Sequence, residues 1–202
     1  AFKYQHPDPD NALNKIRDLF SSNGFHQIYS NSLQNKNESS ICGHNSIPML
    51  NPLNIEMGFL RTSLLPGLLK AGEFNIKNGA KSFRIYELGN VHHSSGDGLA
   101  NMKEFQYLSG IIYGNRFESS VHSDSISESI YDIKGILSFL FHNSLNMNVR
   151  YDHAEDYVMD LAQNIIVNNL RIGSYGRISE KFIKDLGLES SENFYGFEVN
   201  LQ

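Results

Sequence analysis

Only one cysteine, Cys42, occurs in the chain. A disulfide framework is therefore excluded, and a reducing cytoplasm is the expected setting. No apolar run approaches the roughly 20 residues that cross a bilayer as a helix. The opening residues, AFKYQHPDPD, have no apolar central region and do not read as a signal peptide. Basic excess is also lacking: the formal net charge is −5. The summed field then gives no general attraction to nucleic-acid phosphate, although local contact stays open. Repeats, heptads and low-complexity tracts are missing too.

What is present suits one domain. The 202 residues are 40% hydrophobic and 11% aromatic, enough to bury a real core. The chain stops at Gln202, inside an apolar strand-like segment from Phe194 to Leu201, and an excised piece of something longer is expected.

Pro7-Asp8-Pro9-Asp10 reads as a helix start, and Ala12, Leu13, Ile16, Leu19 and Phe20 form a helical stripe stopped at Asn23-Gly24. Phe25 to Ser30 alternates like a strand. Ser32 to Ser46 is polar and reads as a loop or short helix, and Ile47 to Leu50 as a short strand. The stretch NPLNIEMGFLRTSLLPGLLK, Asn51 to Lys70, then carries one arginine, Arg61, ahead of a helix. Thr62 or Ser63 caps it, and Leu64, Leu65, Leu68 and Leu69 lie on one face. Asn78-Gly79 turns the chain. Ser82 to His92 and Phe105 to Tyr113 read as an antiparallel pair, with a turn cluster over Ser94 to Gly98. Asn115 to Ser129 reads as a mobile polar loop, Ile130 to Leu145 as an amphipathic helix, and Val149 to Tyr151 as a short strand. Asp152 to Asp160 reads as acidic and irregular. Strands over Leu161 to Val167 and Leu170 to Tyr175 are joined by Asn168-Asn169, which tolerate the positive φ of a tight hairpin. A short helix from Ser179 to Leu186 and the strand from Phe194 close the chain. The fold class is α+β, a mostly antiparallel sheet flanked by helices.

Several side chains are candidates for chemistry. Arg61, at a junction before a helix, either binds an anion or pairs with a buried carboxylate. Arg84 and Glu87 lie three apart in a strand and so face opposite sides; each reads as half of an ion pair with a partner elsewhere, or Arg84 as a nucleotide-phosphate ligand. His92-His93 also point to opposite faces and make a poor metal pair. Cys42 reads as an ordinary loop thiol. Asp152, Glu155 and Asp156 around His153 read as a solvated loop. Gly173 and Gly176, with Arg177, do not have the spacing of a phosphate cradle.

Taken in order, the blocks Asn23-Gly24-Phe25, Asn51-Pro52-Leu53, Leu60 to Leu69, Phe83 to Val91, Tyr131-Asp132-Ile133-Lys134-Gly135, Ile172-Gly173 and Phe194 to Val199 span nearly the whole chain. This order resembles the synthetase-like core of the beta subunit of bacterial phenylalanyl-tRNA synthetase. The resemblance implies a class II aminoacyl-tRNA synthetase fold over residues 1–202. The helix from Pro9 to Asn23 would stand for the first class II motif, which builds the subunit interface, so Leu13, Ile16, Leu19 and Phe20 are expected either at a subunit contact or in the chain's own core. Arg84 matches the arginine that holds the α-phosphate in catalytic members. The third motif, ending Gly-x-Glu-Arg in catalytic members, reads Gly196-Phe197-Glu198-Val199-Asn200 here, without the arginine. The return strand carries Ser109 where catalytic relatives have an acid. Tyr157-Val158-Met159 and Ser179-Glu180 stand where the family has His-Pro-Gly and His-Pro. No catalytic residue and no metal ligand are expected in this chain; Arg61, Arg84 and Glu87 would be a relic nucleotide pocket or structural ion pairs. The family further implies an alpha subunit partner in a two-alpha, two-beta assembly, tRNA, and ATP and magnesium for the holoenzyme. Editing, magnesium-binding and C-terminal tRNA-binding domains of the family are missing from these residues. The alternative is a stand-alone regulatory module that binds a small metabolite.

Overall fold

A computed structural model of the chain describes residues 11–95, 101–189 and 193–202. The expected helix start at Pro7 to Asp10, and residues 96–98 of the turn cluster, lie outside them. Helix α1 (Asn11–Ser22) ends where Gly24 takes a φ of 78°. Strand β1 (His26–Gln27) keeps only two of the six residues expected to be extended, and it runs parallel to a later strand. Short elements follow, β2 (Leu33–Gln34), α2 (Lys36–Ser40), β3 (Ile47–Pro48) and β4 (Phe59–Leu60). The first two fall where a loop or short helix was expected. β2, β3 and β4 pair into a small sheet ahead of α3 (Leu65–Lys77). Pro66 sits in the first turn of α3, where a missing N–H costs nothing.

The long strands β5 (Phe83–Ser94) and β6 (Met102–Tyr113) pair antiparallel over their full lengths. Asn115 to Ser129, expected to be a mobile loop, instead holds a small two-stranded sheet of β7 (Asn115–Phe117) and β8 (Ile126–Ser127). Serines and asparagines hid that pairing, because its side chains face solvent and leave no apolar alternation. Ser129 and Asp132 close a capping box on α4 (Ile130–Phe139), and a wider π-type turn over Leu140–Ser144 extends it. β9 (Val149–His153) and β10 (Met159–Val167) take up both ends of the acidic stretch expected to be irregular. β11 (Leu170–Ile178) follows a hairpin in which Asn168 and Asn169 have φ of 51° and 63°. Ser179 caps α5 (Glu180–Asp185), and β12 (Tyr195–Asn200) is the last strand.

Chain order and sheet order differ. The main sheet runs β1-β5-β6-β12-β11-β10-β9, antiparallel at every pairing but β1 with β5. The last strand is thus central, between β6 and β11. Both faces are covered. On one, α1 and α4 bury Phe20, Ile133 and Leu137 against Tyr86, Leu108, Phe197 and Val199. On the other, α3 and α5 bury Leu64, Leu68 and Phe182 against Ile85, Ile111 and Ile178. Alternation along β5 sends Tyr86 and Leu88 to the first face and Ile85 and Val91 to the second.

Phe20 is the hub of the α1 face. Its ring lies 5.0 Å from Phe25, 5.0 Å from Tyr86 and 5.6 Å from Phe197. Phe20→Ala should therefore lower stability by about 3–5 kcal/mol, and Leu13→Ala, at the margin of the same cluster, by distinctly less. Urea unfolding of the two variants checks the order.

Candidate functional site

The junction between β4 and α3 turns sharply, and Arg61 sits in it almost fully buried. Its guanidinium meets Glu87 on β5 at 2.7 Å, both side chains being 5% exposed or less. Nε donates to the Asn90 carbonyl at 2.7 Å, and Nη1 to Ser30 Oγ at 3.1 Å. Ser30 Oγ in turn donates to the second Glu87 oxygen at 2.6 Å. A methyl group at Gly89 would collide with Arg61 Nη2, so the glycine is what lets the arginine lie flat across the strand. Every hydrogen-bonding feature described here is internal, and none is turned toward open space.

Arg84 lies on the opposite face of β5. Nε and Nη2 grip both oxygens of Glu128 at 2.6 and 2.9 Å, and Nη1 donates to the Asn23 carbonyl at 3.0 Å. The guanidinium also stands 5.6 Å over the Phe25 ring. Glu128 is buried at the entry to α4. Sequence reading missed it because it sits inside the serine-rich stretch expected to be a loop. Arg84, Glu87 and Arg61 are therefore not one constellation: Arg61 and Glu87 share a site, and Arg84 is separated from them by the sheet.

A cleft of about 500 Å³ opens on the α3 face. Its lining includes Cys42, Tyr107, Asp156, Arg171 and Glu198. Glu198 is the residue sequence reading did not single out as a site. One of its oxygens accepts the Leu64 N–H at 2.8 Å and the Ser63 hydroxyl at 2.9 Å, so the start of α3 is aimed at it. Burial nevertheless pushes its carboxyl up to about 7. The Leu64 and Ser63 hydrogen bonds and the Arg61 charge pull the other way. Burial also raises the Cys42 thiol to about 12, which leaves it protonated and unreactive at neutral pH. Ser63 additionally accepts the Leu65 N–H at 3.1 Å, while the residue at the cap position proper is Leu64.

The remaining candidates disperse. His93 stacks on His44 with centroids 3.8 Å apart and meets the Thr62 carbonyl at 2.9 Å, and burial lowers both imidazoles. His92 lies 3.9 Å from Glu104. Asp156 accepts the Val158 N–H at 2.8 Å and faces Arg171 at 3.9 Å, whereas Asp152 pairs with Arg150 at 3.5 Å. Among the described residues no group of three or more metal-ligating side chains forms. Gly173 packs so tightly on β12 that a side chain there would strike the Glu198 backbone. Ile16, Leu19 and Phe20 are buried in the chain's own core, and Leu13 packs against it. These contacts cover the sheet beneath α1.

Two outcomes follow from these charges. Glu87→Ala strands a buried guanidinium and should cost about 3–5 kcal/mol, while replacing Arg61 and Glu87 together by apolar residues should recover much of that loss in urea unfolding. For Glu198, the folded chain keeps a proton between pH 4.5 and about 7 that the unfolded chain has released. Stability from this group is complete below pH 4.5 and is lost as pH rises to about 7, by about 3 kcal/mol. Glu198→Gln should remove that slope, so the wild-type-minus-variant stability difference falls across the same window; a flat difference would refute the assignment.

Comparison with known proteins places this geometry. The family model described as the phenylalanyl tRNA synthetase beta chain CLM domain matches residues 3–201. A phenylalanine–tRNA ligase beta subunit of Prochlorococcus marinus is 30% identical over 196 residues, covering 94% of this chain and 22% of the relative. That of Carboxydothermus hydrogenoformans is 29% identical over 174 residues, covering 81% and 21%. That of Buchnera aphidicola subsp. Schizaphis graminum is 26% identical over 193 residues, covering 93% and 24%. The chain thus spans less than a quarter of the length of these relatives. With the match running across both helical faces and the twelve strands of the described residues, the chain belongs to the family of phenylalanyl-tRNA synthetase beta chain CLM domains.

Proposed function

We propose that this chain is the non-catalytic, class II synthetase-like core of a phenylalanine–tRNA ligase beta subunit. In the cytoplasm it would scaffold the alpha subunit in a two-alpha, two-beta assembly and help position tRNA. ATP and magnesium would serve the holoenzyme at a site this chain does not supply. The carrying observation is the state of the two arginines. A nucleotide site needs cations free to meet phosphate charge as it develops. Arg61 is spent on Glu87, Ser30 and Asn90, and Arg84 on Glu128 and Asn23. The cleft lining is no better suited: Glu155, Asp156 and Glu198 stand there against Arg171, and a triphosphate would meet net repulsion. The residues present do not fit MgATP, and no step is routed through it.

That cleft also supports the alternative of a small-metabolite module, since about 500 Å³ is enough for an amino-acid-sized ligand. No helix among the described residues is long and apolar enough to span a membrane.

Calorimetric titration of MgATP into the full-length chain without its alpha subunit tests the reading. We expect no saturable heat up to millimolar nucleotide. Tight binding abolished by Arg84→Ala overturns it, and a rise in melting temperature with one amino acid from a panel favours the metabolite module.

A further inference from the structure

The sheet under the α3 layer changes character at its centre. Toward α3 and α5 the strands turn Ile85, Ile111 and Ile178. On the same face β6, β12 and β11 instead carry a polar row, Ser109, Glu198 and Ser174, which the strand registers place side by side. Tyr107 and Asn200 form the next pair on that face, two residues along β6 and β12. An apolar row would let a helical layer close over it, whereas burying polar groups costs free energy unless each finds a partner. Here the layer stays open, and the cleft of about 500 Å³ stands over Tyr107, Glu198, Ser174 and Asn200.

Charge and wall chemistry select what the cleft can hold. Asp156 enters from the segment between β9 and β10, and Ser174 Oγ donates to it at 3.4 Å. A second carboxylate is thus tied to the residue directly across the ladder from Glu198. Glu155 is a third carboxylate in the lining, and the guanidinium opposing them, Arg171, is 59% exposed and 3.9 Å from Asp156. Such a lining repels anions and draws cations. A metal ion is poorly served, because among the described residues no group of three or more ligating side chains forms. Tyr107, Leu65 and Met159 give the cleft aromatic and aliphatic wall as well, which suits an alkyl chain, and a tyrosine ring attracts an ammonium. We propose that this cleft binds a small organic amine, its ammonium between Glu198 and Asp156 and its hydrocarbon on Tyr107 and Leu65. The site gives the small-metabolite reading of the cleft its ligand class, and the scaffold role does not depend on it.

A proton balance follows. Burial holds the Glu198 carboxyl near 7, against the Leu64 N–H, the Ser63 hydroxyl, the Leu65 N–H and the Arg61 charge, all of which favour the anion. Tyr107 and Cys42 face it as a neutral hydroxyl and thiol, both raised to about 12 chiefly by burial. An ammonium arriving beside Glu198 also favours the anion. The amine therefore enters charged, and the proton that Glu198 held leaves to solvent.

Isothermal titration of n-butylamine into the holoenzyme, with n-butanol and butyrate as comparators, tests the site. We expect saturable, millimolar binding of the amine and none of either comparator. At pH 7 about half a proton should be released per amine, read from the heats in buffers of different ionisation enthalpy. Affinity should rise about tenfold from pH 6 to pH 8 as Glu198 loses its proton. Glu198→Gln should weaken binding at least about tenfold and abolish the proton release. Asp156→Asn should weaken binding comparably and keep the release. Absence of saturable heat overturns the site, as does equal binding of butanol or butyrate, or binding without proton release. Amine binding that survives both substitutions lies elsewhere in the holoenzyme and overturns it too. Where Glu198→Gln fails to fold, Asp156→Asn decides, and an unchanged affinity overturns the site. None of these outcomes moves the scaffold reading, which stands or falls with the MgATP titration.

Discussion

Arg61 is held where three segments of chain meet. Its backbone N–H donates to the Ser32 carbonyl, its carbonyl accepts from His92, and its side chain ties Ser30, Glu87 and Asn90 together. The segment after β1, the strand β5 and the entry to α3 are thereby fixed relative to one another. Taking a guanidinium and a carboxylate out of water is expensive, and this pair is tolerable because its hydrogen-bonding groups find partners inside the protein. The consequence is directional. α3 can only start where Arg61 ends, so Ser63 and the Leu64 N–H arrive over β12, and Glu198 is the group they meet. The cleft on the α3 face is shaped by that arrival.

The opposite face repeats the logic with different residues. Arg84 joins β5 to the entry of α4 through Glu128 and to the end of α1 through the Asn23 carbonyl. Alternation along one strand puts Glu87 under one layer of helices and Arg84 under the other. A single strand thus anchors both layers by charge, while its neighbouring apolar residues supply the burial. An arginine that must hold two helices in place is not free to close on a phosphate.

What sequence alone made legible follows the range of each signal. The helix stops at Gly24 and Gly79, the Asn168-Asn169 hairpin and the β5–β6 pair rest on residues that act on their neighbours, and they were readable. The partners of the charged residues were not, because Glu87 is 26 residues from Arg61, Glu128 is 44 from Arg84, and Glu198 is 135 from Ser63. Polar strands β7 and β8 were hidden for a different reason, since solvated pairs show no apolar period. The α1 stripe was legible as a stripe, but periodicity cannot tell a face turned to one's own sheet from a face turned to a partner.

Glu198 shows how the donors at a helix start can be satisfied from within the chain. The start of α3 still points N–H and hydroxyl donors at this position, an arrangement suited to an anion, and the chain fills it with its own carboxylate. Burial then works against the charge, holding the carboxyl near 7. A phosphate approaching the cleft would have to displace an internal anion already bonded to those donors and to pass Glu155 and Asp156 on the rim. An amine would meet the reverse: it would find carboxylates to pair with and would draw the proton off Glu198. The cleft therefore discriminates by charge sign before any contact of shape.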